Sequence, residues 1–373
     1  MLLTGGAAAS QFRGSTGAGA LTAGSIPTVT ALVPVAAHAG QSTTVVPPNV
    51  YAATVGPDVI PTVADIPGRV YVPNTISNTV DVIDPQVYRV IARLPVDREP
   101  HHVTPSWDLQ TLYVLNTRSD SLTIIDPHTG TVKGTIPVLD PYNLYFTPDG
   151  RTAIVVAERY ERLDFRDPRT WALEQSVPIR HSGVNHLDFS ADGGYLLASC
   201  EYSGWVVKVD IPTRRVAGEL QVGGSPIDVK LAPDAEVFYV ANQGRHGVSV
   251  IDPVAMKEAD FVATGRGAHG LYVSRDTRQL YVTNRLEGSI SVIDFATRRV
   301  VAKWTIGGSP DMGGVTRDGR EFWVSGRYHG EVYVVDTGTG RLQHRIRVGA
   351  GPHGLAVFPQ PGRYSLGHNG VYR

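Results

Sequence analysis

Histidines, carboxylates and amides recur in this chain at pairs of adjacent positions, and the pairs are spaced by about 42 residues. The first position of each pair holds His101, Tyr142, Asn185, Ile227, His269, Asp311 and His353. The second position holds His102, Asn143, His186, Asp228, Gly270, Met312 and Gly354. Five of the twelve histidines fall in these places. Imidazole and carboxylate groups bind metal ions and exchange protons, so these positions could form a site if the fold brings them together.

One interpretation of these residues is a divalent metal site. Its first-choice ligands are three imidazoles and one carboxylate from the first position of the pairs: His101, His269, Asp311 and His353. An open coordination position on the ion would activate water or polarise a carbonyl group. Because the ligands would come from distant segments, such a site needs no local zinc motif.

A second interpretation is a site for an anionic ligand. Charged turns between pairs of apolar runs supply three arginines that could bind carboxylates or phosphates: Arg159, Arg285 and Arg327. Glu158, Glu201 or a histidine would then act as acid or base. Taken together, the predicted ligand-binding residues are His101, His102, Glu158, Arg159, His186, Glu201, Asp228, His269, Arg285, Asp311, Arg327, Tyr328 and His353. Three interpretations of these residues remain open: a metal site, an anion site, and solvated turn residues without a function.

These residues lie in a repeat of about 42 residues, whose clearest copy is QLYVTNRLEGSISVID at positions 279–294. Seven copies end in an aspartate, at Asp84, Asp126, Asp167, Asp210, Asp252, Asp294 and Asp336. Each copy has two alternating apolar runs around a polar turn, and two further apolar runs follow. Four strands per unit and seven units predict an all-β, seven-bladed β-propeller of four-stranded antiparallel blades. The repeated aspartate is expected to bond its own turn backbone.

The predicted architecture would bring the candidate residues together. In a propeller, the turns entering the innermost strands and the turns between the second and third strands converge on one face around a central channel. The paired positions belong to the first kind of turn and the arginines to the second. Both groups are therefore expected at the same end of the channel.

The repeat also sets the domain boundaries: a signal-like or disordered segment (1–45), an extended lead-in (46–68), the propeller (69–360) and a tail packed on it (361–373). The first repeat begins with a second strand at Arg69, and residues 351–359 are an isolated first strand. N- and C-terminal strands should therefore close the ring in one blade. Residues 56–66 loosely resemble a first strand too, so either end could supply the innermost strand. Ala37-His38-Ala39 matches a signal-peptide cleavage pattern and predicts export.

The strand end Tyr281-Val282-Thr283-Asn284, with variants at 239–242 and 113–116, resembles the YVTN, or YncE-like, seven-bladed β-propeller family. The resemblance covers residues 69–360 and departs from the pattern at Ala157-Glu158. It implies an exported or periplasmic protein. Propellers with a similar repeat include haem-binding members, so haem is a cofactor candidate beside a divalent metal.

Composition excludes several classes of partner. The net charge is -1, which provides no basic field for nucleic acid. Cys200 is the only cysteine, so no internal disulfide can form, and a packing role is expected. The sequence contains no stretch of about 18 apolar residues that could span a membrane. A monomer is expected.

These features predict an exported binding or scaffold protein without catalytic activity. It would recognise a small, possibly anionic ligand, or a partner protein, on the face rich in histidine and arginine. The alternative is an enzyme that uses the same face, either a metal-dependent hydrolase or lyase of the lactonase kind or a haem-associated oxidoreductase.

Overall fold

The computed structural model describes residues 49–368 and 372–373, which belong to one compact unit, Val46–Arg373. The signal-like segment at 1–45 lies outside the described residues. In the part of the chain that is described, the strands form seven four-stranded antiparallel sheets. Neighbouring sheets touch through their innermost strands in an unbroken cycle. The prediction of a seven-bladed β-propeller is therefore confirmed.

The strands follow the chain in order. The closing blade starts with β1 (Arg69–Asn74), β2 (Thr79–Asp84) and β3 (Arg89–Pro95). Blade 1 contains β4 (Pro100–Pro105), β5 (Leu112–Asn116), β6 (Ser121–Asp126) and β7 (Thr131–Pro137). Blade 2 contains β8 (Asn143–Phe146), β9 (Ala153–Ala157), β10 (Arg162–Arg166) and β11 (Leu173–Pro178). Blade 3 contains β12 (Val184–Phe189), β13 (Tyr195–Cys200), β14 (Trp205–Asp210) and β15 (Arg215–Gln221).

Blade 4 contains β16 (Pro226–Leu231), β17 (Phe238–Asn242), β18 (Gly247–Asp252) and β19 (Lys257–Ala263). Blade 5 contains β20 (Ala268–Val273), β21 (Gln279–Asn284), β22 (Ser289–Asp294) and β23 (Arg299–Thr305). Blade 6 contains β24 (Pro310–Val315), β25 (Glu321–Gly326), β26 (Glu331–Asp336) and β27 (Leu342–Arg347). β28 (Ala356–Phe358) completes the closing blade. Short 3-10 helices occur at Ala52–Thr54, Pro61–Val63, Thr117–Ser119 and Glu158–Tyr160.

The ring closes because the end of the propeller sequence pairs with its beginning. β28 lies antiparallel to β1, with Val357 opposite Val70, so the C-terminal segment supplies the innermost strand. The other candidate for that strand, residues 56–66, contains the 3-10 helix Pro61–Val63. Gly56 in the same segment has φ +90°, which lies outside the range of a strand. The described part of the lead-in is therefore less extended than the sequence suggested.

Burial decreases from the inner to the outer strands of a blade. The inner strand β12 is buried on both faces, because blades pack against it from both sides. The outer strand β23 alternates between half-buried and exposed residues, as its period-two pattern predicts. Asp294 accepts hydrogen bonds from the backbone and hydroxyl of Thr297, both at 2.8 Å, which confirms its role as a turn residue. Cys200 is fully buried as a packing residue.

Buried polar groups join the inner strands of neighbouring blades. The hydroxyl oxygen of Tyr272 accepts a 2.6 Å hydrogen bond from the Gly313 amide of the next blade. The carboxylate of Asp228 accepts hydrogen bonds from the amides of Val229 (2.9 Å) and, across the blade boundary, Leu271 (2.7 Å). Since buried polar groups of this kind are specific in geometry, they fix how the blades line the channel.

Candidate functional site

A bulge at the start of the inner strands turns two consecutive side chains toward the channel. Pro226 of β16 lies opposite Asn242 of β17, and Val229 lies opposite Val240. Between these two pairs β16 therefore has one residue more than β17, which is a β-bulge. The same register shift occurs in β4, β12, β20 and β24. As a result, the rings of both His101 and His102 approach that of His353, with centroids 5.3 and 4.8 Å away. The paired positions of the sequence thus form two successive layers of the channel.

The first layer and the charged turns meet at one end of the channel, as predicted. There they line a cavity of about 260 Å³, which we call the channel mouth. Eight of the thirteen predicted site residues line it: His101, Glu158, Arg159, Glu201, His269, Arg285, Arg327 and His353. Tyr202, which the sequence analysis did not single out, also lines the cavity. The sequence could have indicated Tyr202 as a site residue, because it directly follows Glu201 in the same turn.

Asp311 is the centre of a buried polar group at the base of the mouth. Its side chain is fully buried, and its Oδ2 accepts a 2.6 Å hydrogen bond from Nδ1 of His353. Nη1 of Arg285 donates to Oδ1 at 3.1 Å. Nδ1 of His269 lies 3.1 Å from the same oxygen but is not aligned for a hydrogen bond. The structure therefore brings three of the four predicted metal ligands into contact, and Arg285 already balances their one carboxylate.

The imidazoles of the mouth are neutral at physiological pH. Burial, together with the charge of Arg327, lowers the pKa of His101 to about 3. Burial also lowers the pKa of His269 and of His353 well below the ordinary value. Neutral rings offer both a donor and an acceptor nitrogen. The walls of the mouth can thus form hydrogen bonds without adding charge.

The arginines of the mouth differ in their partners. Arg159 pairs with Asp140 at 2.6 Å and with Asp120 at 2.8 Å. Among the described residues, Arg327 donates only to the hydroxyl of Thr75 (3.2 Å) and the carbonyl oxygen of Gly351 (3.3 Å). Within residues 49–368 and 372–373, no carboxylate oxygen lies within 4.0 Å of its guanidinium nitrogens. Its positive charge is therefore available to a ligand.

Two glutamates complete the mouth, and both are buried enough to change their acidity. Burial, together with the nearby charge of Glu201, raises the pKa of Glu158 to about 7. Oε1 of Glu158 is buried and has no hydrogen-bond partner among the described residues. Burial also raises the pKa of Glu201, whose carboxylate accepts a 2.8 Å hydrogen bond from Asn185. Glu158 can therefore gain or lose a proton near neutral pH.

The remaining predicted residues lie elsewhere. Tyr328 is 64% exposed and lines a wider outer depression of about 700 Å³ that it shares with Arg327. Asp228 joins blades 4 and 5 through the amide contacts described above. His102 and His186 belong to the second layer, where both are fully buried.

In the second layer, His102 and His186 meet a third histidine, His368, which comes from the tail. Each residue offers a nitrogen, and the three atoms lie within 4.8 Å of one another. Among the residues that the structure describes, these three histidines form the group whose ligand atoms lie close enough together to share a metal ion. They are not the metal ligands that the sequence predicted. Sequence reasoning missed His368 because it lies outside the repeat.

The sequence profile of the YNCE-like beta-propeller family matches residues 26–363. The chain belongs to this family. The resemblance carried by the YVTN segments is thereby confirmed. A search of curated protein sequences found no match.

Solved structures share the fold of this YNCE-like propeller at low sequence identity. Hydrazine synthase of Kuenenia stuttgartiensis is 19% identical with a TM-score of 0.64, covering 73% of this chain and 93% of that one. Dihydro-heme d1 dehydrogenase NirN is 18% identical with a TM-score of 0.62, covering 79% and 75%. A protein of unknown function from Desulfotomaculum acetoxidans is 15% identical with a TM-score of 0.66, covering 78% and 98%. At such identities the likeness concerns the fold alone.

A search for membrane-crossing helices among the described residues found none with the required length and apolar character.

Proposed function

We propose that this YNCE-like propeller is an exported binding protein that takes a small carboxylate-bearing ligand at the channel mouth. The observation that carries the proposal is Arg327, the guanidinium of the mouth without an acidic partner among the described residues. Arginine binds carboxylates through two parallel hydrogen bonds, and such charge-assisted bonds are about twice as strong as neutral ones. Export rests on the sequence pattern at residues 37–39.

The charges of the other arginines at the mouth are already balanced. Arg118 pairs with Glu99 at 2.8 Å, and Arg159 and Arg285 have the aspartate partners described above. A ligand therefore meets one guanidinium without an acidic partner among the described residues, that of Arg327. Surrounding it are neutral imidazoles and two carboxyl groups: Glu158, which is protonated below about pH 7, and Glu201, whose pKa burial raises. This environment favours a ligand with a single negative charge over one with several.

The size of the cavity also limits the ligand. About 260 Å³ is smaller than the ~300 to 1,000 Å³ of pockets for drug-sized ligands. Tyr142 and His101 form an aromatic wall, with ring centroids 4.9 Å apart. A small carboxylate whose other end is planar or apolar fits this combination of one charge and one aromatic wall.

Calorimetric titration with a panel of small mono- and dicarboxylates and inorganic phosphate tests the proposal. Arg327→Gln should weaken monocarboxylate binding by about 10- to 100-fold, because a charged hydrogen bond contributes roughly 1.5–3 kcal/mol. The matched control is Arg245→Gln. Arg245 lies in the equivalent turn of blade 4 but pairs with Glu258 at 2.6 Å and does not line the mouth. Equal losses in the two variants, or no binding by wild type, would refute the proposal.

A second candidate function is hydrolysis with Glu158 as general base. It is favoured by the raised pKa of about 7 and by the buried oxygen without a hydrogen-bond partner among the described residues. A carboxylate in that state can take a proton from water. Release of acid from small lactones, lost in Glu158→Gln and retained in Arg245→Gln, would support this function. Carboxylate binding without any turnover would leave binding as the function.

A further inference from the structure

We propose that His102, His186 and His368 bind a single copper ion, in the cuprous state, inside the channel beneath the mouth. This site uses residues of the second layer and is separate from the carboxylate site proposed above. Three imidazoles from blade 1, blade 3 and the tail would surround the ion. Imidazole nitrogen is a ligand that copper and zinc both accept.

The three rings already converge. The centroid of His102 lies 3.8 Å from that of His368 and 5.7 Å from that of His186, and the last two are 5.0 Å apart. One ligand nitrogen from each lies within 4.8 Å of the others. Nitrogens that share an ion at ~2.0–2.1 Å in a tetrahedral arrangement are about 3.4 Å apart. Inward shifts of the order of 1 Å, within the range of small side-chain rotations, would complete the site.

Unsatisfied nitrogens give an independent reason to expect a ligand here. His102 is fully buried, and neither of its ring nitrogens has a hydrogen-bond partner among the described residues. Nε2 of His186 is in the same condition, while its Nδ1 lies 3.1 Å from Oδ1 of Asn185. A buried polar atom without a partner costs roughly 1–3 kcal/mol. Coordination would satisfy these atoms, and the contact to Asn185 would orient the His186 ring.

Contacts between the tail and blade 2 place His368 next to His102 and His186. The carbonyl oxygen of Leu366 accepts a 3.0 Å hydrogen bond from the Phe146 amide of blade 2, and Leu366 is fully buried. Gly367 has φ +107°, and a Cβ atom there would collide with the carbonyl oxygen of Leu144. Only glycine allows the tail to approach the inner strand this closely. The approach is what inserts the next residue, His368, into the channel.

The charge around the rings favours a monovalent ion. No carboxylate belongs to the three-ligand group, so the three imidazoles would hold the ion without a compensating negative charge among the ligands. Burying an ion without a compensating carboxylate is more costly for a divalent than for a monovalent cation. Cu(I) is therefore expected in preference to Zn(II).

The test is metal binding by the full chain after removal of metal with a chelator. Protein is titrated anaerobically with Cu(I) against a colorimetric Cu(I) chelator, and in parallel with Zn(II) against a zinc indicator. Wild type should bind one equivalent of copper, and His368→Gln and His102→Gln should bind it at least about ten-fold more weakly. The matched control is His128→Gln, a histidine with a 42% exposed side chain in the turn after β6.

Some outcomes would overturn the proposal. Equal copper affinity in wild type and His368→Gln, or no stoichiometric copper in wild type, would remove the site. Stoichiometric zinc without copper would overturn the cuprous assignment. Should the variants misfold, X-ray absorption of copper-loaded wild type remains decisive, because about three nitrogen neighbours near ~2.0 Å are expected and a sulfur or oxygen shell would contradict the assignment. Arg327→Gln should bind copper normally, which separates this site from the carboxylate site.

Discussion

The arginines at the two ends of the channel have different kinds of partner. At the far end, Arg373 is 3% exposed and donates to Asp188 (3.2 Å) and to the carbonyl oxygens of Ser190 (3.1 Å) and Phe189 (2.8 Å). At the mouth, Arg327 reaches a hydroxyl and a carbonyl but no described carboxylate. The first arginine fastens the tail to blade 3, whereas the second leaves a positive charge exposed to the cavity.

The difference follows from what covers each end. Segments outside the repeat cover the far end: the hydroxyl of Tyr51 in the lead-in donates to the Leu231 carbonyl at 2.7 Å, and Tyr372 in the tail is 4% exposed. The described residues that line the mouth all belong to the repeat. Ligand access is therefore expected from the mouth. The variants below distinguish an arginine that stabilises the fold, Arg373, from one that is available to a ligand, Arg327.

The largest effect is expected for Arg373→Gln. The substitution leaves the buried carboxylate of Asp188 without its cationic partner, so the free energy of unfolding should fall by about 3–5 kcal/mol. Urea denaturation at neutral pH measures this change. The matched variant Arg327→Gln, which breaks no ion pair, should lose less than about 1 kcal/mol. Similar losses in both variants would contradict the contrast between the two ends.

A pH dependence is expected from Glu158. Its folded-state pKa is raised from 4.5 to about 7, so the folded protein keeps a proton that the unfolded chain releases. The associated stability is complete below about pH 4.5 and is lost as the pH rises through 7, by about 2 to 3 kcal/mol. Glu158→Gln should be more stable than wild type at pH 8 by this amount, as measured by urea denaturation, and equally stable at pH 4. Parallel pH profiles would show that Glu158 ionises normally.

A somewhat smaller effect is expected for Gly367→Ala in the tail. Alanine at φ +107° and in contact with Leu144 should lower the free energy of unfolding by about 2 kcal/mol. The control is Gly134→Ala in β7, where a Cβ atom would meet nothing within 4 Å, and no loss is expected there. Differential scanning calorimetry of the two variants compares them directly. A Gly367→Ala protein as stable as its control would mean that the tail does not need this close approach.

The repeat explains how much of the site was predictable. One period of about 42 residues fixes both the blades and the positions that face the channel, so His101, His269 and His353 could be placed together without coordinates. The repeat could not predict which acidic residues pair with the arginines of the mouth. Arg159 and Arg327 occupy similar turns, yet only Arg159 finds Asp120 and Asp140 beside it, because those acids come from irregular positions in the neighbouring turns.

The repeat could not predict the position of His368 in the tail, for a related reason. The path of residues 361–368 depends on single contacts, such as that between Leu366 and Phe146 and the left-handed glycine before His368. No periodic pattern encodes them. The Pro- and Val-rich composition of the lead-in likewise suggested an extended chain, but local turns at Ala52–Thr54 and Pro61–Val63 shape it instead.

The most direct test of the central claim is a crystal structure of wild type with the tightest-binding monocarboxylate from the titration panel. We expect the carboxylate inside the channel mouth, with both oxygens within about 3 Å of the guanidinium of Arg327. A carboxylate bound elsewhere on the propeller, with only water next to Arg327, would contradict it.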